Sequence, residues 1–183
     1  MKLYLVQHGQ AVPKEVDPER PLSEQGREDV SRVATRLGEA GVRVVRVWHS
    51  GKQRAAETAG ILAGKVCSGK RVEMIKGIQP NDPVDEFASD ADVWGEDTLV
   101  VGHLPFMSRL VSLLVAGDSK HELVHYTPGS VVCLQRDDTD RWVISWMLSP
   151  GLLGEAPGVS APCACAGSCH PTPRPMCRRS ASP

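Results

Sequence analysis

Apolar residues fall along this chain in two alternating rhythms. Short unbroken runs rich in branched side chains read as buried strands, and stretches with apolar residues every third or fourth position read as amphipathic helices. Leu3 to Val6 is the first run. A long polar connection follows from Gln7 to Pro21, carrying Lys14, Glu15, Asp17, Glu19 and Arg20. It is too long for an idle turn in a compact domain. Ser23 predicts a helix N-cap, with acidic Glu24 in the first turn. Val30, Val33, Ala34 and Leu37 then keep helical spacing, and Gly38 or Gly41 can end the helix. Val42 to Val47 predicts the second strand, and His49-Ser50-Gly51 leads into a helix bearing Ala55, Ala59, Leu62 and Ala63. Val72 to Ile75 reads as a short strand, Gly77 to Pro83 as a loop, and Val84 to Ala91 as a short helix with acidic residues on one side. Thr98 to Val101 is a buried strand that runs into Gly102-His103-Leu104-Pro105 and a helix from about Pro105 to Val115. Proline suits a first helical turn, where its missing N–H would be unpaired anyway. Val131 to Leu134 and Trp142 to Trp146 read as a hairpin joined by the polar stretch Arg136 to Asp140.

The alternation of strands and helices predicts an α/β protein. The expected architecture is a three-layer α/β/α sandwich, with a mostly parallel central sheet and an antiparallel element at its end. Residues 1–153 make one domain. From Gly154 the periodicity stops and Pro, Cys, Gly, Ser and Ala dominate, so 154–183 reads as a disordered Cys- and Pro-rich extension.

Composition narrows the picture. The chain has 183 residues and a formal charge of −1, so no basic excess points to nucleic acid. No apolar run approaches the roughly 20 residues that span a bilayer, and the first residues lack the pattern of a signal peptide. A cytoplasmic protein without a membrane partner is the expectation. Aromatic residues are only 4% of the chain, so Val, Leu, Ile and Ala must build the core. Cys67 and Cys133 lie in the body, whereas Cys163, Cys165, Cys169 and Cys177 lie in the tail with His170. The tail has zinc-ligand residue types but no familiar C-x₂-C pair and no apolar residues to pack a small metal domain. His121 and His125 stand four apart, yet Val124, Tyr126 and Thr127 suggest extended structure there. No metal and no cofactor is expected.

The candidate chemistry sits where strands end. The first strand stops at Gln7-His8-Gly9, and open α/β sheets place binding crevices at such C-terminal strand edges. An imidazole there can be a nucleophile, a base, a metal ligand or an ordinary loop histidine. The second strand delivers His49 and Ser50, with Arg54 in the next helix's first turn, and the later strand delivers Gly102 and His103. In a parallel sheet these ends converge on one edge. Two histidines and an arginine there can hold a phosphoryl group: guanidinium matches phosphate oxygens bidentately, and helix N-termini add N–H donors. A neutral imidazole can attack phosphorus while a second histidine donates hydrogen bonds.

The ordered set Val6-Gln7-His8-Gly9-Gln10-Ala11, Glu19-Arg20-Pro21-Leu22-Ser23, Ser50-Gly51-Lys52-Gln53-Arg54-Ala55 with Thr58-Ala59, Val101-Gly102-His103-Leu104-Pro105 and Ser145-Trp146-Met147-Leu148-Ser149-Pro150 resembles the histidine phosphatase superfamily, which is phosphoglycerate mutase-like in fold. Within it the chain is similar to the compact SixA-type phosphohistidine phosphatases, over about residues 1–153. The resemblance implies that His8 is the nucleophile that becomes transiently phosphorylated. It implies that Arg54 binds the transferred group, and that His103 is the second pocket histidine. Gln7, Gly9, Arg20, Ser50 and Gly102 are the implied phosphate- or substrate-binding positions. The expected substrate is a phosphohistidine-containing signalling or phosphotransfer protein, with inorganic phosphate as product.

Two departures qualify the resemblance. The family's first motif normally reads Arg-His-Gly, and Gln7 keeps an N–H donor but loses the charge and the fork. Arg20, Lys52 and Lys14 are cations that can offset the loss, although Lys52 by itself reads as a surface lysine. Gln10 stands where relatives often carry a carboxylate, which removes one candidate for protonating a leaving group. A pocket short of acids favours phosphohistidine, because an alkoxide leaving group needs a proton more. Two alternatives remain: a catalytically weakened phosphate- or phosphoprotein-binding pseudophosphatase, and a small-molecule phosphomonoesterase. His49 reads as structural, and Asp85, Glu86 and Asp90 as a solvated helix face.

Overall fold

The computed structural model describes residues 1–69, 71–91 and 94–154. Apart from Gly154, the expected C-terminal extension lies outside them. In chain order the described elements are β1 (Lys2–Gln7), α1 (Glu24–Glu39), β2 (Arg46–His49), α2 (Gln53–Val66), β3 (Val72–Met74), α3 (Asp85–Ala91), β4 (Thr98–Gly102), α4 (Phe106–Ala116), β5 (Val131–Arg136) and β6 (Trp142–Leu148), with a closing 3-10 turn Pro150–Leu153. The strands form one sheet in the order β3-β2-β4-β1-β5-β6. β1, β2, β3 and β4 run parallel, while β5 is antiparallel to both β1 and β6.

The strict alternation of β1 explains the three layers. Tyr4 and Val6 face one way, into a core with Val30, Val33 and Leu37 of α1 and Ala59 and Leu62 of α2. Leu3 and Leu5 face the other, into a core with Phe87 of α3 and Phe106 and Leu110 of α4. Successive side chains on a strand point to opposite faces, so an unbroken apolar run demands cover on both.

The second strand differs from expectation. Val42 to Val47 reads as a strand, but β2 begins at Arg46. Its neighbour β4 begins at Thr98, directly opposite Arg46, so the earlier residues have no strand to pair with. Val44 is instead buried through an isolated bridge to Cys67. Pro105 also sits one step earlier than expected, as the N-cap of α4 rather than inside its first turn.

Sheet order decides what meets at the upper edge. Gln7 of β1 is in register with Gly102 of β4, and His49 of β2 with Val101. Because β4 lies between β1 and β2, His103 emerges between His8 and Ser50. The polar connection after β1 makes an excursion and returns: Val12 N–H donates to Pro21 O at 2.8 Å, and Ser23 N–H donates to Gln10 O at 2.9 Å. Ser23 then caps α1, its Oγ accepting from Gly26 N–H at 3.0 Å.

Candidate active site

Backbone anchors place His8 before any side-chain chemistry begins. Its N–H donates to Gly102 O at 3.1 Å, continuing the β1–β4 ladder by one bond. Gly9 N–H donates to Thr58 Oγ1 at 3.1 Å, and Thr58 in turn donates to Arg54 O at 2.7 Å. One buried threonine thus ties the end of β1 to the first turn of α2. Gly9 has to be glycine for space, since a Cβ there would lie 2.7 Å from Val30 Cγ2 and 3.0 Å from Gly26 O.

The His8 ring is held at both nitrogens. Nδ1–H donates to Gly9 O at 2.7 Å, and Nε2 accepts from Arg54 Nε–H at 3.1 Å. A carbonyl only accepts and a guanidinium only donates, so the ring is the neutral Nδ1–H tautomer with its lone pair on Nε2. Burial pushes the His8 pKa down from 6.5 to about 4; the Gly9 carbonyl opposes this, and Arg54, Arg20 and Lys52 add to it.

His103 is 2% exposed, and its ring lies 4.9 Å from that of His8. Its Nε2 is 2.6 Å from Ser50 Oγ, and its buried Nδ1 has no partner among the described residues. With the Ser50 hydroxyl donating, the ring proton resides on Nδ1 and can be offered to an oxyanion. Burial, then His8 and the cations Arg54, Lys52 and Arg20, push the His103 pKa down to about 3. Ser50 is positioned by Gln79, whose Nε2–H donates to Ser50 O at 2.7 Å.

The remaining expected residues also gather here. Arg20, in a left-handed backbone conformation with φ +54°, turns back toward β1, and its Nε–H donates to Val12 O at 3.4 Å. It lies close enough to lower the pKa of His8, His103, Arg54 and Lys52. Gln7 lies beside His103's strand and contributes a buried Oε1 without a hydrogen-bond partner among the described residues. Gly102 lets Met107 close over the edge, since a Cβ there would lie 2.1 Å from Met107 Cε. His49 does not join the cluster by hydrogen bond; its Nδ1 accepts from Gly51 N–H at 3.1 Å and shapes the turn. His121 is exposed beside Asp118, on irregular chain rather than on a helix.

Sequence reasoning missed two contributors and undervalued a third. Gln79 lies in a segment read only as loop. Glu57 accepts from Leu22 N–H at 2.9 Å, pairs with Arg27 at 2.8 Å and accepts from Gln53 Nε2–H at 3.0 Å, so it fixes the chain just after Arg20. Lys52, expected at the surface, is partly buried and acts on both histidines. No local pattern marks the first two. For Lys52 the signal was its place between Ser50 and Arg54.

The fold and the site together define an open α/β sheet with a histidine-centred, cation-lined cluster at its C-terminal edge. Residues 3–78, which carry His8, Arg20, Ser50 and Arg54, match the model of the histidine phosphatase superfamily (branch 1). The motif resemblance is therefore borne out, and the fold expected from it is the fold observed. The chain is similar to the protein histidine phosphatase SixA, whose structure with tungstate superposes with a TM-score of 0.75 at 23% identity, over 84% of this chain and 100% of that one. It is also similar to the alpha-ribazole phosphatase from Shigella flexneri, with a TM-score of 0.66 at 16% identity over 82% and 97% of the two chains. An uncharacterized protein of Picosynechococcus sp. is 28% identical over 130 residues, 67% of this chain and 78% of the relative.

Proposed function

We propose that this protein is a phosphatase that works through a phosphohistidine on His8, with phosphohistidine in a protein as its substrate. The observation that carries the reading is the state of His8: partly buried, neutral, and presenting its Nε2 lone pair to the Arg54 guanidinium. A phosphoryl group drawn in by Arg54 and Arg20 meets that lone pair. The Nε2–phosphorus bond forms as the bond from phosphorus to the substrate nitrogen breaks, and that nitrogen keeps the electron pair. A proton already on the far nitrogen of the substrate ring lets it leave as neutral imidazole. In the second step water attacks phosphorus and the phosphorus–Nε2 bond breaks, its electron pair returning to Nε2. Because Nδ1 keeps its proton throughout, His8 leaves as neutral imidazole and needs no further acid. Charge on the equatorial oxygens is met by Arg54, Arg20 and Nδ1–H of His103, donors set before the reaction.

Substrate choice follows from the same inventory. Gln10 is exposed and engaged through its backbone with Ser23, and neither pocket histidine has a carboxylate hydrogen-bond partner among the described residues. Phosphate esters need a general acid for their alkoxide, and an N-phosphoryl imidazole needs one far less. The alpha-ribazole phosphatase among the similar structures keeps a small-molecule ester within reach of the fold, so the comparison has to be made by turnover. A second reading rests on Gln7: without the charge next to His8 the pocket binds phosphoryl groups but turns them over poorly.

The test is a labelled phosphohistidine donor, alkaline quench and detection of acid-labile label. The enzyme reading expects label on the wild type, none on His8→Ala, retained label on His103→Ala, and phosphate release faster than from phosphomonoesters at matched concentration. Binding without label or release supports the pseudophosphatase, and faster ester hydrolysis supports the small-molecule phosphatase.

A further inference from the structure

Outside the residues already given roles, the group with the most direct electrostatic hold on both histidines is a lysine. Lys52 is the N-cap of α2, in the turn between Ser50, which touches His103, and Arg54, which touches His8. It is partly buried, and its side chain makes no capping hydrogen bond to its own helix. No carboxylate pairs with it within 4.0 Å among the described residues. Its charge registers at His8 and at His103, whose rings lie 4.9 Å apart. A lysine that is half withdrawn from water, without an ion pair and among two arginines is costly to keep charged. An anion among the three cations relieves that cost.

We propose that Lys52 contacts the substrate directly, its ammonium binding oxygens of the transferred phosphoryl group together with Arg54 and Arg20. The proposal deepens the phosphatase reading and rests on it only in taking a phosphoryl group as the ligand. Two further observations point to an anion at this spot. The N-terminus of the fourteen-residue helix α2 opens beside it with no side-chain cap, and helix N-termini favour anions. The almost fully buried His103 carries an Nδ1 without a partner among the described residues. Gln7, next to His8, is neutral, so Arg20, Lys52 and Arg54 are the cations whose charges reach both imidazoles. A flexible four-carbon stem also suits Lys52 to follow the phosphoryl group as it passes from substrate to His8.

The groups facing Lys52 settle what its pH dependence should be. Arg54 on its own helix and Arg20 from the β1–α1 connection lower its pKa below 10.5, burial lowers it most, and Asp82 of the β3–α3 loop opposes them. His8 and His103 are neutral through the alkaline range and do not titrate there. Of the three cations Lys52 is the one that can lose its charge as pH rises, because a guanidinium stays protonated.

The experiment measures binding of inorganic phosphate to the full chain by calorimetry, from pH 7 to 11, for wild type, Lys52→Ala, Lys52→Arg and the control Lys65→Ala, on an exposed part of α2. A charge-assisted contact predicts phosphate affinity roughly tenfold to a hundredfold weaker in Lys52→Ala, near wild type in Lys52→Arg, and unchanged in Lys65→Ala. The alkaline loss of affinity seen in the wild type should move to higher pH in Lys52→Arg. Equal binding by wild type and Lys52→Ala overturns the proposal. So does an equal loss in Lys52→Ala and Lys52→Arg, which would mark a packing role. If the wild type forms no phospho-His8 yet shows the Lys52-dependent binding, the phosphatase reading fails and this proposal stands. If label and turnover are normal in Lys52→Ala, the reverse holds.

Discussion

His8 and Arg54 form a donor–acceptor pair in which the lone pair, not a proton, faces the guanidinium. In the proposed mechanism that bond separates a nucleophile from a structural histidine, and it makes the acid limb of the proposed reaction predictable. Burial holds the His8 pKa near about 4, so above that value the ring is neutral and below it the lone pair is lost. Phospho-His8 formation, followed by rapid quench, should persist through pH 5 and fall as pH drops through about 4 rather than through 6.5. A fall centred at 6.5 would show that the ring is solvated. Gln7 is the other residue whose chemistry has a size. A hydrogen bond to a charged group is worth about 1.5–3 kcal/mol against about 1 for a neutral one, and each ~1.4 kcal/mol is tenfold in rate. Gln7→Arg should therefore raise the rate of phosphoryl transfer roughly tenfold or more, read by single-turnover kinetics. No gain would mean that the cations already present suffice.

At the scale of elements, the pocket depends on how closely α1 and α2 approach the chain leaving β1. Gly26 is inside α1, where glycine ordinarily costs about 1 kcal/mol relative to alanine. Here a Cβ would sit 2.1 Å from Gln10 O and 2.9 Å from Gln10 N, both backbone atoms. Steric conflict outweighs propensity, so Gly26→Ala should lower the melting temperature and weaken phosphate binding together. An increase in stability would sink the argument. Thr58 is fully buried and serves both Gly9 N–H and Arg54 O. Thr58→Val keeps the shape but strands a buried donor, a loss of about 1–3 kcal/mol that urea denaturation would read. Helix α1 was legible because Ser23, Val30, Val33, Ala34 and Leu37 form a local pattern. The close approach at Gly26 was not legible, because its partner Gln10 belongs to a different segment.

The whole molecule inherits an acid sensitivity from its site. Both pocket histidines have folded pKa values depressed below 6.5, to about 4 and about 3. Between 6.5 and those values the unfolded chain takes up protons that the native state refuses, so stability falls as pH falls through this window. Denaturant midpoints at pH 7 and pH 4.5 should differ, and the difference should shrink in a His8→Ala, His103→Ala double variant. The domain boundary belongs to this scale too. Among the described residues the Pro150–Leu153 turn is the last element, and it packs on α1; the expectation that the domain ends at 153 predicts that a chain ending at Gly154 melts at the temperature of the full chain.

What the sequence determined by itself was local and periodic. It held the strands and helices, the layering implied by two-sided apolar strands, and the arrival of His8, Ser50, Arg54 and His103 at strand ends, because each is written in neighbouring residues. Tertiary structure decided the rest. Sheet order put β4 between β1 and β2, and so put His103 between His8 and Ser50. The return of the β1–α1 connection brought Arg20 back toward β1. Packing partly buried Lys52 beside the site and held both imidazoles neutral. Tautomer, pKa and charge count depend on distances between groups far apart in the chain, and those distances exist only once the sheet has closed its ladder.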